Sequence, residues 1–206
     1  NFVGDQRFGF RQNGHVLGRM LLTGERDAFI DELLGNGHPS DSPPLKRGRA
    51  AYQQGDYDEA MRHWPRQLRF DRQALDALRQ HKSKFEAVDA IDSSQRHFLL
   101  TAFQSAVFNR LLDRRLHGGC FDRLLSGDLA WKHDNGAVFE VDQSTAEAEN
   151  AQGGRVALHE VSPSGPMWGR QMPLPDGDVL AMEEQALADF DITPKQFEEA
   201  EETING

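Results

Sequence analysis

Arg66, Arg69, Arg72 and Arg79 recur at helical spacing within fourteen residues. On a helix they share one arc, apart from the side that carries Leu68, Leu75, Leu78 and Phe85. A row of guanidinium groups suits the phosphates of RNA. The same row can equally be a solvated face paired with Asp71 and Asp76. Lys132, His133 and Asp134 form a second polar group. Its two cations either touch RNA or charge a strand edge against unwanted pairing. Asp134 sets a carboxylate beside them, but its place before Asn135-Gly136 predicts a turn role. Cys120, the single cysteine, has no evident basic partner and is expected to be inert. With no Cys pair and no H-x-x-x-H, the chain offers no zinc frame, and neither metal nor cofactor is expected.

The 206 residues give room for one large domain or one and a half. At 38% hydrophobic and 27% charged the composition is that of an ordinary globular protein. No apolar run approaches the roughly 18 residues of a membrane span, and no signal peptide opens the sequence. One cysteine excludes an internal disulfide and fits a reducing compartment, so a cytoplasmic monomer is expected. The net charge of −10 is unevenly spread. Residues 1–115 hold 18 Lys and Arg against 15 Asp and Glu; residues 116–206 hold 5 against 18. Phosphates respond to local charge, so any nucleic-acid contact is expected in the first half.

These residues must be positioned by a chain that reads as α+β. The glycines at 4, 9, 14 and 18 argue against a helix near the start, so residues 1–22 are expected to form a turn, a short strand and a connection. A short helix should run from Thr23 or Gly24 to Leu34, followed by a linker over 35–44. Residues 45–116 look helical throughout. Gly55 to Ala60 resembles the turn of a tetratricopeptide repeat, but one copy cannot build an array. Pro65 suits the first turn of the next helix. Ser94 is a candidate cap for a helix over 95–116 that is apolar around most of its circumference and should be buried. Leu129 to Val141 reads as a hairpin turning at Asn135-Gly136, and residues 155–161 as a third strand. Trp168 should anchor the turn that follows. A helix from Asp178 carries Val179, Met182, Ala186 and Phe190 on one face, and Thr193 caps a short acidic helix.

Four segments carry a resemblance. Asn1 to Gly9 resembles the N-[YF]-[FY]-G-x-Q-R-F-G motif of the TruD family of pseudouridine synthases. Ser105 to Asn109 resembles that family's S-x-[LV]-F-N stretch, Gly127 to Phe139 its G-D-x-x-x-K-H-D-x-G-x-x-F segment, and Ser162 to Gly169 its S-P-[TS]-G-P-[ML]-[WF]-G turn. They occur in family order. The resemblance implies isomerisation of uridine to pseudouridine in tRNA, at position 13, without metal or cofactor. It implies a catalytic aspartate in a G-[TS]-K-D-[KR] loop upstream of Asn1, so no catalytic residue is expected in these 206 and the chain alone should be inactive.

The fold implied is a short catalytic-domain piece, residues 1–24, followed by a mixed helical and small-sheet insertion domain, residues 25–206, truncated at its end. By resemblance Asn1 faces the target uridine, and an amide donor and acceptor suit the uracil edge. Val3 departs from the usual aromatic, so either Phe2 compensates or the pocket is altered. Arg7 either reaches phosphate or forms an ion pair that holds the motif. Phe8 is expected in the core, alternating with Arg7 as in a strand. Two other readings of the residues stay open: a non-enzymatic RNA-binding module, or a helical protein-interaction domain built on the turn at Gly55.

Overall fold

The computed structural model describes residues 2–169 and 172–197. They fall into two compact units, residues 5–103 and residues 2–4 with 104–197. The division lies inside the longest helix.

The first unit is helical. A 3₁₀ turn over Asp5–Phe8 leads to α1 (Gly14–Leu22), α2 (Arg26–Ile30) and a π turn over Asp31–Gly35. Then come α3 (Pro43–Gln53), α4 (Tyr57–His63), α5 (Arg69–Arg79), α6 (Lys84–Asp89) and the start of α7 (Ser93–His117). Local chemistry sets many of these starts. Ser42 accepts from the Leu45 amide ahead of two prolines, Asp56 accepts from Glu59, and Ser83 with Glu86 forms a capping box. Phe29, Ile30, Leu34, Ala74, Leu75 and Val88 are almost completely buried in a core that also takes Leu17 from α1 and Leu99 from α7.

The strand expected within residues 1–22 is a 3₁₀ turn and a helix. Gly14 and Gly18 serve close packing, while Gly9 takes a left-handed turn conformation (φ +79°). A Cβ on Gly18 would lie 2.1 Å from the Leu99 carbonyl oxygen, and one on Gly14 would lie 2.9 Å from that of Phe8. Pro65 precedes the helix it was expected to open, since residues 65–68 form a turn and α5 begins at Arg69. Leu75 and Leu78 are buried, but Phe85 belongs to α6 and is exposed, with the Arg26 guanidinium 3.8 Å from its ring centre. The turn at Gly55 (φ +78°) joins one helical pair, α3 and α4.

The second unit is mixed. It contains the rest of α7, then β1 (Leu129–Lys132), β2 (Val138–Glu140), α8 (Gln143–Asn150), β3 (Val161–Pro163) and α9 (Gly177–Ala188). The three strands form an antiparallel sheet in the order β2-β1-β3. Along α7, Leu99, Ala102, Phe103, Val107 and Leu111 are all buried, as its apolar circumference predicts. It starts slightly earlier than expected, with the Asp92 carbonyl accepting from the Arg96 amide.

The hairpin stands where the sequence puts it, but its turn differs. Trp131 pairs with Val138 and the Lys132 amide donates to Ala137, so four residues turn the chain. Only Gly136 is left-handed, and Asn135 instead accepts from the Ala137 amide. The third strand also lies later than expected. Residues 155–160 close local turns, Leu158 onto Gly154 and His159 onto Val156, which uses the groups a ladder would need. Val179, Ala186 and Leu187 are buried on α9, and Thr193 hydrogen-bonds Gln196 in a last helical turn. The acidic end of that helix lies outside the described residues.

Gly18→Ala should lower stability by at least about 2 kcal/mol, because backbone occupies the space its methyl needs. Chemical denaturation of the two chains checks this.

Candidate nucleic-acid interface

Asn109 lies on α7, and its side chain grips a distant backbone at two points. The Val3 amide donates to Asn109 Oδ1 at 2.7 Å, and Asn109 Nδ2 donates to the Val3 carbonyl at 2.9 Å. The clamp reads backbone alone, so it tolerates Val at position 3. Val3 is half-buried and Phe2 is exposed. Asn1 lies outside the described residues.

On the same helix Phe108 packs under the turn after β3. A Cβ at Gly165 would sit 2.5 Å from the Phe108 ring, so only glycine lets the two meet. That turn is tied to the sheet by the Ser164 amide donating to Leu129 and by pairing of Ser162 with Trp131. His133 leaves β1 and donates its backbone N–H to Glu160, while its Nε2 lies 3.0 Å from Ser162 Oγ. Trp168 closes the segment as an anchor: it is 3% exposed and its carbonyl accepts from Gln104.

Phe108, His133 and Ser162–Gly165 line one cavity of about 470 Å³, together with Leu111, Arg115, Phe121 and His159. Residues separated by more than fifty positions therefore meet at one place. The walls are largely apolar with a few hydrogen-bonding groups, which suits holding a flat polar ring. Its one carboxylate, Asp122, is exposed.

Below it Arg115 makes a bidentate pair with Asp128, at 2.8 and 2.9 Å. Asp128 also accepts from the Leu125 amide, and Arg115 donates to the Arg123 carbonyl. Gly127 (φ +95°) is forced by contact, since a Cβ would lie 2.3 Å from the Asp176 carbonyl. Glu183 of α9 is 4% exposed, and its Oε2 has no hydrogen-bond partner among the described residues. Burial, then the nearby Asp128 charge, pushes its carboxyl up to about 7, against the pull of Arg115.

The arginines expected to form one stripe divide in two. Arg72 donates to the Met61 and Trp64 carbonyls, at 3.2 and 2.8 Å. Arg79 pairs with Asp58 and Asp76. Arg66 and Arg69 are exposed and make no ion pair among the described residues. Arg7 is exposed with its guanidinium 5.7 Å from the Phe98 ring, and it makes no ion pair among the described residues. The Phe8 expected to alternate in a strand sits half-buried on the 3₁₀ turn, edge-on to His15. Lys132 lies over the Phe139 ring, while Asp134 is exposed in the hairpin turn. Cys120 is buried, its thiol directed at the Arg115 carbonyl.

Sequence reasoning missed Asn109 as a clamp, although an Asn in mid-helix is a visible signal. It also missed Phe121 and His159, the latter left-handed at φ +56°, for which the sequence carries no local sign. No group of three or more potential metal ligands occurs among the described residues, and no described helix is long and apolar enough to cross a membrane.

The chain matches the family model for tRNA pseudouridine synthase D (TruD) over residues 1–205, and it belongs to that family. It is 36% identical over 198 residues to the tRNA pseudouridine synthase D of Geobacter sulfurreducens, covering 96% of this chain and 47% of that one. The protein of the same name from Geobacter metallireducens is 35% identical over 199 residues, with 96% and 48% covered. A crystal structure assigned to TruD from Methanosarcina mazei has the same fold, with a TM-score of 0.81 at 20% identity over 95% of this chain and 46% of that one. The chain thus spans about half the length of the curated relatives it matches.

The Glu183 carboxyl binds its proton more tightly folded than unfolded, so its contribution to stability is full below about pH 4.5 and is lost as pH rises toward 7. Glu183→Gln should therefore raise the thermal midpoint by roughly 2–6 °C at pH 8 and change it little at pH 4. Melting curves across that range check the sign.

Proposed function

We propose that the protein to which this chain belongs isomerises uridine to pseudouridine in tRNA, at position 13 as the resemblance implies, and that this chain supplies surface that holds the RNA. The observation that carries the reading is the meeting of Phe108, His133 and Ser162–Gly165, from three family segments, around one cavity. The reaction breaks an N–C glycosidic bond and forms a C–C bond to the same ribose. The base must leave its stack, be enclosed and turn before it is reattached.

The family's nucleophile is an aspartate in a G-[TS]-K-D-[KR] loop, and no aspartate among the 206 residues has that context. Residues 1–24 are assigned to the catalytic domain and residues 25–206 to the insertion domain. Asn1 then contributes its amide to the uracil edge, and Asn109 sets the path of the segment that carries it. Arg66, Arg69, Lys132 and His133 are the proposed RNA contacts, with Arg72 and Arg79 supporting the helices beneath. The protein works as a cytoplasmic monomer without metal or cofactor.

Filter binding of unmodified tRNA to the 206-residue chain, with a salt titration, tests this. Binding should weaken steeply with salt, and carbodiimide mapping should find no pseudouridine above a no-protein control. Salt-independent binding, or none, would reject the RNA-holding role; product would reject the placing of the nucleophile elsewhere.

The divided arginines give a sharper expectation. Arg66→Gln with Arg69→Gln should flatten the salt slope by up to about two units and leave the melting temperature unchanged. Arg72→Gln should keep the slope and cost roughly 1–3 kcal/mol, because two carbonyls lose their donor.

A further inference from the structure

Asn109 stands past the middle of α7, a helix of 25 residues. Asparagine is a poor helix former, because its side chain competes for backbone groups. Here both of its polar atoms are spent on one residue far along the chain. Oδ1 accepts from the Val3 amide at 2.7 Å, and Nδ2 donates to the Val3 carbonyl at 2.9 Å. A side-chain amide thus pairs with main chain much as a neighbouring strand would.

Among the described residues these are the hydrogen bonds that hold Phe2 and Val3. Packing within the described residues adds little there: Phe2 is 51% exposed, and a Cβ on Gly4 would meet nothing within 4 Å. One side chain therefore sets the path of the segment. At that size only an amide offers both a donor and an acceptor. Aspartate, its closest match in shape, is acceptor-only when ionised and would set an oxygen against the Val3 carbonyl. Phe108, the preceding residue, packs against Gly165 in the cavity wall. A single turn of α7 thus fixes both the N-terminal segment and the wall formed by residues 162–165.

We propose that Asn109 is a positioning residue for the isomerisation: it touches no substrate, and by holding the Val3 backbone it fixes where the Asn1 amide meets the uracil edge. The assignment rests on the function proposed above and adds to it the group that aims the segment. Turnover then depends on this clamp far more than tRNA affinity does. A misplacement of about 1 Å can cost on the order of 100-fold in rate. Affinity, in contrast, comes mainly from many phosphate contacts.

Pseudouridine formation by the full-length protein on unmodified tRNA is the assay. Asn109→Asp should lower kcat by about 10–100-fold and change KM by less than about threefold. Val3→Pro removes the amide donor from the other side of the clamp and should do the same. The double variant should be no slower than the slower single one, because both act through one contact. Val107→Ala, a buried change on the same helix, should lower the melting temperature and leave kcat within about twofold. Hydrogen exchange at the Val3 amide, read by fragmentation mass spectrometry, should be about tenfold faster in Asn109→Asp.

Faster Val3 exchange with an unchanged kcat would overturn the positioning role and leave a clamp that serves the fold alone. Additive losses in the double variant, or as large a loss of turnover in Val107→Ala, would overturn it as well. Equal losses in kcat and tRNA affinity would mean that Asn109 supports the RNA surface as a whole, which also overturns it. A wild-type protein that forms no pseudouridine would strike the proposed function, and this assignment with it, even where Val3 exchange shows the clamp intact.

Discussion

A guanidinium sealed against a carboxylate stands at the centre of each unit. In the mixed unit Arg115 and Asp128 join the end of α7 to the loop that launches β1. In the helical unit Arg49 and Asp41 join α3 to the loop before it, and Arg49 also reaches Leu33. Removing one partner of such a pair costs about 3–5 kcal/mol, since the other charge stays buried. Their geometric effect is as important. Both arginines bond backbone carbonyls as well as carboxylates, so each fixes the course of a loop that lines a cavity.

Those loops explain how the family segments can be short and far apart yet act together. Asn109 and Phe108 are neighbours on α7 and serve different tasks, one gripping the Val3 backbone and the other filling the space below Gly165. Gly127 and Gly165 are each dictated by an atom that approaches too closely for a Cβ. Glycine at these positions is a packing requirement, not a mark of looseness. The cavity that Gly165 helps to line has largely apolar walls, two histidines and serine hydroxyls.

Charge is used in two ways here. Arg72, Arg79, Arg110, Arg114 and Arg155 spend their donors on carbonyls or carboxylates of the same chain. Asp189, between Arg110 and Arg114, is held down to about 2 by those two guanidinium groups. Arg66 and Arg69 are left facing water. A count of basic residues therefore overstates the surface open to phosphate, and an acidic total does not remove it.

Much of this was legible in the sequence. The helical run over residues 45–116, the buried α7, the hairpin at Leu129 and the family itself follow from local period, capping chemistry and motif order, although α3 begins at Pro43, inside the expected linker. These signals are local, because a helix or hairpin is specified by neighbours a few positions away. What the sequence could not decide depended on partners far along the chain. Gly14 and Gly18 looked like helix breakers until Phe8 and Leu99 came close. The four arginines looked alike until the carbonyls of Met61 and Trp64 claimed one and Asp58 and Asp76 another. Asn109, Asp41 and Glu183 showed no role until burial set the cost of leaving their polar atoms unpaired. Residue type and spacing determined the elements and the family; tertiary contact alone decided which polar groups were spent on the fold and which were left facing water.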